Sequence, residues 1–130
     1  MTDFILIQSN YDNVPHLIIR RVPEFLDSLA FKSLTLEDRI LPGLVCASFT
    51  KFLVTIQKEV GSKEKEEDVE LLVRIYAVIE EMASDKDPGV QNAVVIEIFE
   101  NIDMDEITRK RIVSMLLPKS KALYDRWIDV

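Results

Sequence analysis

Carboxylates are the groups from which this chain would have to build any chemistry: it has 23 of them, against one histidine and one cysteine. Glu97 and Glu100 fall three residues apart, on one face of a helix, and Glu80 and Glu81 are adjacent. An acid/base couple needs one carboxyl raised selectively above its neighbour, and nothing close to either pair in sequence would do that. With His16 alone, Ser-His-Asp and Cys-His arrangements and multi-histidine metal sites are excluded. Cys46 shares an apolar stripe with Phe49 and Leu53, so it reads as a small buried hydrophobe. A reactive thiol needs an electropositive, partly exposed setting. As a single cysteine it also forms no intramolecular disulfide. Asp103-Met104-Asp105-Glu106 opens like a calcium loop, then lacks the later oxygen ligands and the turn glycine. It reads as helix capping. P-loop, dinucleotide-binding and HExxH motifs are absent. The expectation is a protein with no catalytic residue, no metal and no cofactor, hence no enzyme.

The elements that would position these groups are helical throughout. Asn13, Val14 and Pro15 start a helix over 14–21, and Pro23 turns the chain into a second, over 23–31. Pro42 and Gly43 reset it. Over 43–60, Val45, Phe49, Phe52, Leu53, Ile56 and Val60 repeat at the spacing of one buried stripe, and Gly61 sits where a left-handed C-cap belongs. The next helix, 67–83, is apolar on nearly all sides. Val69, Leu72, Val73, Tyr76 and Ile79 form one stripe and Leu71, Ile75, Val78 and Met82 another, so it must pack on two faces. Glu70, Arg74 and Glu81 mark its narrow polar edge, with Glu70 and Arg74 as an i, i+4 pair.

A break at DKDPG follows, with Asp87 as N-cap and Pro88 in the first helical position. In helix 88–102 Val94, Val95, Ile98, Phe99 and Ile102 face inward, and Ala93, Glu97, Glu100 and Asn101 outward. Asp103 or Asp105 caps a helix over 105–116, in which Glu106 pairs with Lys110. Pro118 opens the last helix, anchored by Leu123, Trp127 and Ile128. Its charges run against the helix dipole, with Lys119 and Lys121 early and Asp125 and Asp129 late. Each misplaced charge costs roughly 0.3–1 kcal/mol when exposed, so acids of helix 67–83 are expected to offset it. The fold class is all-α: a single domain over 1–130, a stack of antiparallel helical hairpins with about 6–8 helices.

Charge is distributed unevenly. Residues 62–106 carry fourteen acids and four bases, whereas residues 107–130 carry two acids and six bases, within a net −7. Such a field repels phosphate backbones and anionic membranes and speeds encounter with a basic partner. The acidic edge Glu70, Glu81, Glu97, Glu100 and Asp103 is therefore the expected partner-binding surface. The basic cluster Arg109, Lys110, Arg111, Lys119 and Lys121 is small and lacks interleaved aromatics, so it reads as an internal match for the acids. The apolar run Phe4–Ile7 is too short for a signal peptide, and no basic residue precedes it. A cytoplasmic location is expected.

Two resemblances extend this reading. SDKDPGVQNAVVIEIFENI resembles the turn and second helix of HEAT- or armadillo-type repeats, which implies an α-α superhelix. VPEFL, LPGLVCASFTKFLV and DPGVQNAVV look like a family of small bacterial helical proteins associated with toxin–immunity loci, including contact-dependent growth inhibition. The latter resemblance implies a cytoplasmic immunity protein that binds one cognate toxin domain, often a basic nuclease, at 1:1. Neutralisation would be by occlusion of the toxin's active site, with no nucleic acid or membrane bound. The alternative is a HEAT-like scaffold that holds a peptide or helix through an exposed apolar patch.

Overall fold

Prolines divide the chain into its helices. In the computed structural model, which describes residues 10–102 and 105–129, four of the five prolines stand in the first or second helical position of an α-helix. A missing amide costs nothing there, because the first amides of a helix have no internal partner. After a short 3-10 turn at Asn10–Asn13, α1 spans Val14–Arg21. A second 3-10 turn over Pro23–Asp27 precedes α2, Leu29–Lys32. A third, Asp38–Ile40, leads into α3, Pro42–Ser62, and α4 is Glu66–Ala83. Next, α5 covers Pro88–Ala93 and passes into a wide π turn, Val94–Ile98, and a tight 3-10 turn, Phe99–Asn101. The last helices are α6, Glu106–Met115, and α7, Pro118–Ile128. Among the described residues there is no strand, so the fold is all-α with seven α-helices. Among the described residues no helix is long and apolar enough to cross a membrane.

One continuous core runs through the elements. At one end Phe25 is fully buried and touches Phe31, Phe49 and Phe52, with ring centroids 5.1, 5.3 and 5.7 Å away. At the other, Phe99, Tyr124 and Trp127 pack edge-on or tilted against one another, with centroids 5.2–6.0 Å apart. Between them lies α4, packed against α1, α3, α5 and α7. The two-faced burial expected of it is present, with Leu71, Leu72, Ile75, Tyr76, Val78, Ile79 and Met82 all buried. Val69 is half-buried and Val73 exposed, at 58%. Tyr76 carries its hydroxyl into the core and donates to Gln57 Oε1 at 2.7 Å, so neither buried polar group lacks a partner.

Several local expectations change. The predicted helix 23–31 is broken at Ser28, whose extended backbone lets its hydroxyl accept the Phe31 amide at 3.1 Å and cap α2. Gly61 is not a left-handed cap: α3 continues to Ser62, and no glycine has positive φ. The helix 88–102 is not uniform, because the wide turn sets Val94, Ile98, Phe99 and Ile102 together in the core. Ala93 is buried rather than outward-facing, and Ile128 is 55% exposed rather than an anchor. Asp105 is the cap of α6, accepting the Ile107 amide at 3.0 Å and the Thr108 hydroxyl at 2.8 Å.

Candidate functional site

The expected acidic edge separates into two groups. On α4, Glu70 accepts from Arg74 Nε at 2.8 Å, and the same guanidinium holds Glu24 through a two-pronged contact. Arg74 also reaches the Arg21 carbonyl, so it ties the α1 corner to α4. Hydrogen bonds from Arg74 hold the Glu24 carboxyl below its usual range, and both carboxylates raise the Arg74 pKa. Glu81 pairs with Arg21 at 3.0 Å. The Glu70 and Glu81 charges are therefore already met inside the molecule. Their pairs are solvent-exposed, so each stabilises by about 1 kcal/mol or less.

The second group follows α5. Glu97 is partly buried beside Gly43 and the Tyr11 hydroxyl, and it forms no ion pair among the described residues. Its carbonyl, freed by the wide turn, accepts from Asn101 Nδ2 at 2.6 Å and from the Thr50 hydroxyl at 3.4 Å. Glu100 is exposed. The change of helix type between them means that they do not form the i, i+3 pair of a regular helix. Asp103 lies outside the described residues.

Two features were not anticipated. Tyr11 donates its amide to Asp87 Oδ2 at 3.0 Å, while Asp87 also accepts the Gly89 amide at 2.9 Å as the N-cap of α5. Burial first, then the electrostatic influence of the neighbouring Cys46 and Glu97, raises the Tyr11 pKa. The second feature is apolar. Leu26, Leu29, Leu36, Ile40, Leu41 and Leu44 are all exposed within residues 26–44, the segment that wraps the start of α3. This half of the chain has near-balanced charge, so charge patterning does not mark it. Its signal in sequence is the surplus of leucine and isoleucine in short elements with no amphipathic period.

Other chemical candidates are placed as structural parts. Cys46 is fully buried, and burial pushes its thiol up to about 12, so it stays protonated at neutral pH. No cluster of three or more metal-ligating side chains occurs among the described residues. Lys110 and Lys121 pair within their own helices, with Glu106 at 3.2 Å and Asp125 at 2.6 Å. Arg109 donates to the Tyr124 hydroxyl at 3.3 Å. The expected acid opposite the last helix is Glu80, whose carboxylate accepts the Lys119 and Ser120 amides at 2.8 Å each.

The fold and surface thus define an all-α domain with one core, an exposed apolar segment and a partly neutralised acidic edge. The chain belongs to the DUF7674 family, described as a domain of unknown function, whose model matches residues 15–130. No curated protein and no solved structure matches it.

Proposed function

We propose that this chain is a non-catalytic protein-binding domain, and that its partner is a basic protein domain of the kind an immunity protein neutralises. The observation that carries the reading is the exposure of Leu29, Leu36 and Ile40 at 81%, 77% and 73%. Large apolar side chains concentrated in one solvent-facing segment mark interaction surfaces, whereas scattered ones do not. The acidic field of residues 62–106 supplies the second part, steering a basic partner toward the domain before the apolar contact forms. Occlusion needs no chemistry, which suits a site whose polar side chains mostly brace the fold. The turn between α4 and α5, with Asp87 as N-cap and Pro88 at the helix start, supports the HEAT-like reading of that segment.

A HEAT-like scaffold that holds a peptide or helix is the second reading, favoured by the same apolar segment. Salt separates the two. Against a basic toxin domain, the association rate falls several-fold between about 50 and about 500 mM salt as screening removes the steering. A helix held by apolar contact associates at a rate that salt leaves unchanged, and that result would discard the immunity reading.

A further inference from the structure

Where the Asn10–Asn13 turn crosses the starts of α3 and α5, a surface pocket of about 180 Å³ is lined by Tyr11, Gly89, Asn92, Ala93, Ile96 and Glu97. We infer that this pocket receives the cationic side chain, arginine or lysine, of a protein partner. Its aliphatic stem lies along Ala93 and Ile96, and its charged head meets Glu97, Asn92 and the Tyr11 hydroxyl. The inference rests on the protein-binding reading above and deepens it by naming an anchor.

Charge chooses the occupant. Glu24, Glu70, Glu81, Glu106 and Asp125 each have a cation at 3.2 Å or less, whereas Glu97 has none among the described residues. Glu97 and Asp12 both act on the Tyr11 phenol, so more than one carboxylate contributes negative potential at this spot. A divalent ion is a poor fit, because it requires several oxygen ligands and the lining holds one carboxylate. A long cationic side chain matches both parts of the wall, since its methylenes cover apolar surface while its head seeks acceptors.

The pocket is also built in advance. Thr50 and Asn101 hold the Glu97 main chain from one side, and Asp87 holds the Tyr11 amide from the other. Two glycines border the pocket, where a side chain would press on the carboxylates of Glu97 and Asp87 and would meet Tyr11 only at ordinary contact distance. A Cβ at Gly43 would sit 3.2 Å from Glu97 Oε1 and 3.5 Å from the Tyr11 hydroxyl, and one at Gly89 would sit 3.4 Å from Tyr11 Cβ. A preformed pocket loses little freedom when it is filled, which favours it as an anchor point.

An NMR titration of the whole chain with butylguanidinium, butylammonium and neutral butylurea tests this. The two cations are expected to give saturable shifts at Gly89, Asn92, Ala93 and Glu97, with butylurea giving none. In Glu97→Gln, which keeps the shape and removes the charge, the affinity for the cation falls about tenfold. Asn92→Ala at the exposed rim is the second variant, with a smaller loss expected and the fold checked by the remaining spectrum. Shifts scattered over Glu66, Glu67 and Glu70, or equal affinity in Glu97→Gln, would overturn the proposal. The protein-binding reading is tested at Leu36 and Ile40, outside this pocket, so either result stands or falls without the other.

Discussion

Glu80 on α4 accepts both the amide and the hydroxyl of Ser120, at 2.8 and 2.9 Å, and so caps α7 from another helix. This contact, with the Lys119 amide at 2.8 Å, answers the reversed charge order of α7 by placing an acid at its positive end. Glu80→Ala leaves these amides without their acceptor and is expected to cost about 1–2 kcal/mol. Hydrogen exchange checks it: the amides at the start of α7 should lose protection first. Equal loss throughout the chain would contradict the capping role.

Acid should weaken the fold through the same group. Burial opposes ionisation of Glu80, but the bonds from Lys119 and Ser120 outweigh it and hold the carboxyl below its ordinary 4.5. Arg74 lowers Glu24, and the Thr108 hydroxyl lowers Asp105. A folded-state pKa below the unfolded value means that the folded chain binds fewer protons, so the stabilisation is complete above the unfolded value and lost as pH falls through the folded one. The urea midpoint is expected to hold from neutrality to about pH 5 and then decline. In Glu80→Gln the decline should be shallower; an unchanged slope would place the acid sensitivity elsewhere.

Tyr76→Phe removes the donor to the buried Gln57 oxygen and leaves that acceptor unsatisfied. The expected loss is about 1–3 kcal/mol in urea unfolding. Adding Gln57→Leu to the same chain should recover part of it, because the stranded polar group is then gone. No recovery would show that the loss comes from packing alone.

The sequence exposed much of this fold because its signals are local. Val14–Arg21 begins and ends where Pro15 and Pro23 require, Asp87 caps α5 beside Pro88, and the Glu70–Arg74 and Glu106–Lys110 pairs form at their i, i+4 spacing. The parts it concealed depend on contacts between distant residues. Glu80 meets Ser120 across forty positions, and Tyr11 meets Asp87 across seventy-six. The wide turn at Val94–Ile98 is likewise satisfied from α3, through Thr50. The acidic edge was visible as composition, but the pairing of Glu70 and Glu81, which Glu97 does not share among the described residues, follows from where Arg21 and Arg74 come to rest.

Leu36→Asp with Ile40→Asp would place two charges on the exposed apolar segment that carries the proposed partner contact. Both residues are exposed, so stability should change by no more than about 0.5 kcal/mol per site and the helical spectrum should be retained. Interferometry against the captured and identified partner then compares this double variant with the parent. Binding is expected to be at least about tenfold weaker, mostly through faster dissociation. Parent-like affinity in the folded double variant would contradict that expectation.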